Sequence, residues 1–360
     1  MSLRFDCNFK SVINYNYKNT MTKAIIITGG GGFLGFNLLQ KLVDFKRADQ
    51  YIIVDNFITS NPNPVRKYTN NASNFFLLER DICDHSTIET IKRQLKSTNT
   101  NSCEIYHLAS LASPPFYKRL PVETLDVGYI GMKNLLELCV WCKDIHIDAK
   151  LLYTSTSEVY GDALEHPQKE TYYGNVNSFG ERSCYDVSKR IGETLIYTYN
   201  KLHNLDTRIV RIFNTYGPHM SISDGRIVTE IMRCMILGKP LTIFGDGSQT
   251  RSLSFVDDTL MMLLRVMDSE YLFPVNIGNE TEVSINELVD IARAVYERQF
   301  QHVPNFDVRY STIDKDDPKV RRPDLSLYKS IVDTDPPATP LETGLLRTLL
   351  YFQELVDHSM

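Results

Sequence analysis

The sequence predicts an α/β fold, with a doubly wound parallel sheet followed by a smaller carboxyl-terminal α/β substrate-binding lobe. Three observations predict it. Up to Phe213, short apolar strand-length runs alternate with helix-length segments, the rhythm of parallel strands joined by crossover helices. The first run feeds straight into the glycine cluster Gly29-Gly30-Gly31-Gly32-Phe33-Leu34-Gly35, which opens a helix. After Phe213 the punctuation changes. Gly217-Pro218, Asp224-Gly225, Gly238-Lys239-Pro240 and Gly245-Asp246-Gly247 bring turns at short intervals.

Taken in order, the expected strands of the first half are Lys23–Thr28, Tyr51–Asp55, Phe75–Glu79, Glu104–Leu108, Lys150–Thr154 and Arg208–Phe213. Helices are expected over Phe33–Phe45, Thr87–Lys96, Pro121–Cys142 and Cys184–Leu202. Six strands in this rhythm make a nucleotide-binding sheet. The second half reads as helices over Ile227–Leu237, Asp258–Met267, Ile285–Arg298 and Leu341–Leu355, mixed with short strands Leu241–Phe244, Arg251–Phe255, Val275–Ile277 and Phe306–Tyr310. The expected division is a disordered extension over 1–21, a nucleotide-binding domain over 22–215, and a lobe over 216–360 partly interleaved with it.

Bulk properties narrow the function classes. The 360 residues suffice for a large core, and 42% hydrophobic with 23% charged residues is ordinary for a globular chain. A formal net charge of −5 argues against a nucleic-acid or anionic-membrane binder. No run approaches the ~18 apolar residues of a membrane span, and Met1–Thr20 lacks the apolar core of a signal peptide. The seven cysteines are scattered. Cys139-Val140-Trp141-Cys142 is the one C-x-x-C, and it lies on an apolar helical stretch with no second pair at zinc-like distance. Buried thiols, no metal site and a cytoplasmic location are the expectation.

The glycine cluster satisfies G-x-G-x-x-G through Gly30, Gly32 and Gly35, and G-x-x-G-x-x-G through Gly29, Gly32 and Gly35. A pyrophosphate must approach backbone N–H groups at a helix amino terminus, where any Cβ would hold it off. Asp55 follows at the end of the second strand. A carboxylate there accepts from ribose hydroxyls and repels a 2′-phosphate, so NAD is expected over NADP. Asp81-Ile82 and His107-Leu108-Ala109 stand at the carboxyl ends of the next strands, where such sheets bind ligands. The cofactor-binding set is Gly29, Gly32, Phe33, Leu34, Gly35, Asp55, Asn56, Asp81, Ile82, Leu108 and Ala109, joined by Tyr185 and Lys189. His107 is read as structural.

Tyr185-Asp186-Val187-Ser188-Lys189 lies near the start of a helical segment, and residues four apart share a helix face. The ammonium is expected to lower the phenol toward neutrality and make it an acid/base. Thr154-Ser155-Thr156-Ser157-Glu158-Val159-Tyr160-Gly161 ends the fifth strand. It supplies a hydroxyl for the reacting oxygen and, in Glu158, a carboxyl beside an apolar strand end with a raised pKa.

On these residues the chain resembles the extended short-chain dehydrogenase/reductase family over about residues 22–355. Within it the likeness is to a branch that decarboxylates UDP-glucuronate to UDP-xylose. The likeness is densest in His107–Pro115, Thr154–Gly161, His166-Pro167-Gln168, Tyr173–Asn177, Arg182-Ser183-Cys184-Tyr185, Arg211–Pro218, Asp224-Gly225-Arg226 and Gln249-Thr250-Arg251. The resemblance implies a catalytic triad of Thr156, Tyr185 and Lys189, with Glu158 as auxiliary acid/base and Arg321 near the C6 carboxylate. It implies further substrate contacts from Pro114, Asn214, Arg226, Thr242 and Arg251, and a homodimer through a four-helix bundle of Pro121–Cys142 and Cys184–Leu202. The related 4,6-dehydratases carry Asp-Glu after the triad threonine, to protonate a departing hydroxyl. Here Ser157-Glu158 stands instead, and CO2 leaves without a proton. A dehydratase, a 4-epimerase and a non-catalytic NAD-binding subunit are the alternatives. Departures are Leu111, Ser178-Phe179 and Val187-Ser188, where that branch usually has proline, Pro-Ile and Glu-Gly.

Overall fold

Alternating apolar residues on β1 (Thr22–Thr28) decide the layering. Ile25 and Ile27 enter one buried cluster and Ala24 and Ile26 another, so both faces of the strand are covered. The computed structural model describes residues 22–70, 72–312 and 321–357, and the expected extension over 1–21 lies outside them. The strands that follow are β2 (Gln50–Asp55), β3 (Phe75–Glu79), β4 (Thr100–His107), β5 (Asp148–Thr156) and β6 (Asp206–Ile212). Later come β7 (Thr215–Tyr216), β8 (Leu241–Phe244), β9 (Thr250–Ser252), β10 (Ser254–Phe255), β11 (Pro274–Ile277), β12 (Glu282–Ser284) and β13 (Val308–Ser311). The central sheet is parallel throughout, in the order β11-β6-β5-β4-β1-β2-β3. The doubly wound arrangement expected from the sequence is the one observed.

The helices are α1 (Phe33–Asp44), α2 (Pro62–Thr69), α3 (His85–Ser97), α4 (Pro114–Arg119), α5 (Pro121–Asp126), α6 (Met132–Asp144), α7 (Ser183–His203), α8 (Ile227–Leu237), α9 (Val256–Asp268), α10 (Ile285–Phe300), α11 (Ser326–Val332) and α12 (Leu341–Asp357). Leu38, Leu39, Leu260 and Leu263 bring α1 and α9 onto the Ile25/Ile27 face. Ile88, Leu135 and Ile196 bring α3, α6 and α7 onto the other. No helix among the described residues is long and apolar enough to cross a membrane.

Three expectations are corrected. The sheet has seven strands where six were expected, because Val275 and Ile277, both fully buried, pair with β6 as its outer neighbour. A strand as short as the expected Val275–Ile277 does not reveal which edge it will cover. The helix expected over Pro121–Cys142 is interrupted by a π turn at Val127–Gly131, where Gly128 packs so tightly on Ser188 that a Cβ would stand 2.6 Å from the serine Cβ. The strand expected over Arg251–Phe255 is two strands. β9 pairs antiparallel with β12 and β10 pairs parallel with β7, the change falling at Leu253. Helices α2, α4 and α11 and the strands β7 and β12 were not expected. For α2 the signal was present, as Asn61 caps its start by accepting from the Asn63 N–H at 3.0 Å, with proline at the first helical position.

Candidate active site

The chain order of the strands reverses between β1 and β4, and sheets of this kind open a ligand crevice there. The cleft has a volume of about 780 Å³. Every residue expected to bind cofactor or substrate or to act in catalysis lines it, from Gly29 and Asp55 at one end to Thr242, Arg251 and Arg321 at the other.

At the first end the chain is built close. A Cβ at Gly29 (φ +72°) would stand 2.7 Å from the Ala109 nitrogen across the crevice, and one at Gly35 would stand 2.0 Å from the Gly29 carbonyl oxygen. Helix α1 starts at Gly32 with no side-chain cap and no acidic residue in its first turn, which leaves its N–H groups for an anion. The Asp55 carboxylate accepts from Gly31 N at 2.8 Å, from Phe57 N at 2.8 Å and from the Ser60 hydroxyl at 3.1 Å. Burial pushes its pKa up, against the pull of those hydrogen bonds. A carboxylate offers about four acceptor positions, so one remains for a ribose hydroxyl. Asn56 donates to Asp81 at 2.9 Å, fixing the next strand end. These residues fit a dinucleotide. His107 ties the reversal together by sharing a hydrogen bond with the Thr28 hydroxyl at 2.7 Å, and burial lowers it to about 3, so it stays neutral.

Deeper in, Thr156 ends β5 while Tyr185 and Lys189 face it from the first turns of α7. All three are buried. The phenol of Tyr185 lies close enough to the Thr156 hydroxyl for that group to favour its ionised form. The ammonium of Lys189 donates to the Thr154 carbonyl at 2.8 Å and lies 5.9 Å from the centre of the Tyr185 ring. The expected lowering of the phenol by Lys189 is not found. Burial pushes Tyr185 up to about 12, opposed by the Thr156 hydroxyl and by Arg226, while burial brings Lys189 itself down to about 7. Desolvation outweighs the helix-spacing argument because both groups sit inside the protein.

Glu158 also departs from expectation. Its surroundings are ionic and not apolar. Arg321 engages both carboxylate oxygens and Arg182 one of them. Arg321 is 8% exposed, and burial lowers it to about 10. Arg226 is folded onto Asp224, donating to it at 2.9 Å, and stands close enough to Tyr185 for each to shift the other. Arg251 donates to its neighbour's carbonyl, Thr250, at 2.9 Å. Pro114 starts α4, Asn214 follows β6, and the exposed Thr242 of β8 faces the far end of the cleft.

Two residues in contact with Tyr185 or Glu158 had been given no role. Tyr117 stacks on Tyr185, the ring centres 5.4 Å apart and the planes 10° from parallel. Arg182 stood in the sequence one helical turn before Tyr185, a spacing that could have marked it. Tyr117 carried no such signal, since only the packing of α4 beside α7 brings it there.

A family described as GDP-mannose 4,6 dehydratase matches residues 26–329. UDP-glucuronic acid decarboxylase 4 of Arabidopsis thaliana is 39% identical over 332 residues, spanning 92% of this chain and 69% of its own length. UDP-glucuronic acid decarboxylase 1 of Danio rerio is 38% identical over 336 residues, spanning 93% and 74%. Among solved structures, UDP-glucose 4-epimerase of Thermotoga maritima superposes with a TM-score of 0.79 at 24% identity, over 92% of this chain and 99% of that one. The UDP-glucuronic acid 4-epimerase of Bacillus cereus, solved with UDP-glucuronic acid and NAD, gives 0.75 at 24% identity over the same shares. At that identity the two structures speak for the fold alone.

Proposed function

The chain belongs to the GDP-mannose 4,6 dehydratase family of extended short-chain dehydrogenases/reductases, and from that premise we propose that it decarboxylates UDP-glucuronate to UDP-xylose with NAD. The carrying observation is the guanidinium of Arg321, held on a carboxylate within the same cleft as Thr156 and Tyr185. A planar fork of this kind reads a carboxylate, which UDP-glucose lacks.

NAD would be held by the Gly29–Gly35 turn, Asp55 and Lys189, and when bound it would supply the hydride acceptor that lets C4 of the sugar become a ketone and the hydride that restores it. Tyr185, as the phenolate that Arg226 and the Thr156 hydroxyl favour against burial, takes the proton from the 4-hydroxyl while Thr156 hydrogen-bonds the same oxygen. The C4 ketone lies β to the C6 carboxylate, so it accepts the electron pair released with CO2. Thr156 and Tyr185 then stabilise the enolate oxygen, each well-placed donor contributing about 3 kcal/mol. C5 takes its proton from solvent water, with Glu158 assigned to relay it. Arg321 orients the C6 carboxylate, and Arg226, Arg251, Asn214, Thr242 and Pro114 hold the rest of the nucleotide-sugar.

The second copy of the chain packs through a four-helix bundle of the segments Pro121–Cys142 and Cys184–Leu202. Val122, Tyr129, Ile130, Tyr197 and Leu202 are exposed on those helices, a concentration that favours such a contact. The six described cysteines are free thiols, which suits the cytoplasm.

Incubation with NAD and UDP-glucuronate, UDP-glucose or UDP-galactose tests the reading by product mass. CO2 release and UDP-xylose from the first are expected. Loss of water from UDP-glucose in place of that reaction, or interconversion of the two hexoses, rejects it.

A further inference from the structure

The motif His166-Pro167-Gln168 has no part in the chemistry above, yet it touches the segment that carries Arg321. Gln168, 1% exposed, forms a one-residue parallel bridge with Pro323. Its N–H donates to the Arg322 carbonyl at 2.9 Å, and its carbonyl accepts from the Asp324 N–H at 2.8 Å. Its side chain closes the remaining gap. Oε1 accepts from the Arg322 N–H at 3.0 Å, while Nε2 donates to the Glu165 carbonyl at 2.6 Å.

This bridge is tied to the rigid part of the molecule. Asn276, fully buried on β11, donates to the Gln168 carbonyl at 3.0 Å and accepts from the Tyr160 hydroxyl at 2.7 Å. Tyr160 ends the short 3₁₀ turn Ser157–Tyr160 that carries Glu158. Gln168 therefore stands between the sheet edge, the turn bearing Glu158 and the segment bearing Arg321. The Arg322 amide beside Arg321 is thus held by a buried side chain.

We propose that Gln168 is a positioning residue for the decarboxylation, fixing the backbone next to Arg321 so that its guanidinium stays aimed at the carboxylate position beside Glu158. The inference rests on the role given to Arg321 above. A displacement of about 1 Å in an orienting group is enough to slow a reaction up to 100-fold.

The test uses the full chain with NAD and UDP-glucuronate. Gln168→Met keeps the length and removes both polar ends. Gln168→Asn keeps the polarity one methylene short of Arg322 and serves if the first variant does not fold. Either is expected to lower kcat at least tenfold on the wild-type background, with NAD affinity within twofold. During turnover more of the enzyme stands as NADH at 340 nm, as in Arg321→Lys, because Arg321 serves the steps after sugar oxidation. Placed on Arg321→Lys, the same substitution is expected to cost less than threefold more. A loss below threefold on the wild-type background, an unchanged 340 nm level, or losses that multiply in the double variant each overturn the positioning role. Full activity in Arg321→Lys alone overturns the reading of Arg321, and this inference falls with it.

Discussion

The two terminal nitrogens of Arg321 rest on the two carboxylate oxygens of Glu158, and Arg182 shares one of those oxygens. The protein thus keeps its own carboxylate where the proposed substrate brings another. Glu158→Gln leaves two largely buried guanidinium groups without a counter-charge, and a loss of roughly 2 kcal/mol in stability is expected. UDP-glucuronate is expected to raise the melting temperature of that variant more than that of the wild type, while UDP-glucose gives no such excess. Calorimetric scans with each nucleotide-sugar check this. Equal shifts would show that no carboxylate is taken up there.

Tyr185→Phe removes the hydroxyl that meets Thr156 and keeps the ring stacked on Tyr117. Turnover is expected to fall about 100- to 10,000-fold, with NAD affinity within a factor of three. Equilibrium titration of NAD and a CO2-release assay on the same preparation decide it.

Lys189 bears on stability as well as on chemistry. Burial holds it at about 7 in the folded protein, below its ordinary value of 10.5. Between those values the unfolded chain holds a proton that the folded one does not, so this group makes stability rise with pH across that window. Below about pH 7 both states are protonated and the penalty is complete. Lys189→Met is therefore expected to be inactive yet more stable than the wild type at pH 7, by a few kcal/mol, with the gap closing toward pH 10. Denaturant unfolding at pH 7 and pH 10 checks the sign.

Tyr129, 48% exposed in the π turn between α5 and α6, lies on the surface assigned to the second copy. Tyr129→Glu is expected to halve the mass seen by sedimentation at micromolar protein, with the circular dichroism spectrum kept. An unchanged mass removes that surface from the interface.

Much of the cofactor end was legible because sterics alone demand it. No residue with a side chain fits at Gly29 or Gly35, and an acid at Asp55 follows from where β2 ends. The Tyr185–Lys189 pair was legible through helical spacing. What spacing does not carry is burial, and burial decides the ionisation of both groups, so the direction of the phenol's shift was misjudged. The ionic setting of Glu158 depends on Arg321, which is 163 residues away in the chain. Contacts of that range come from topology, as does the arrival of Tyr117 against Tyr185. The short run at Val275–Ile277 showed that it would be buried without naming its neighbour.

That neighbour matters while the chain is being made. Until Ile277 has emerged from the ribosome, β6 presents a bare row of N–H and C=O groups between Ile209 and Ile212, the positions that Pro274–Ile277 later occupies. A fragment ending soon after Phe213 would keep that edge permanently, and an open parallel edge invites pairing with other chains. The nucleotide-binding half is therefore expected to aggregate when expressed by itself, and to be rescued when the remainder of the chain is supplied alongside it.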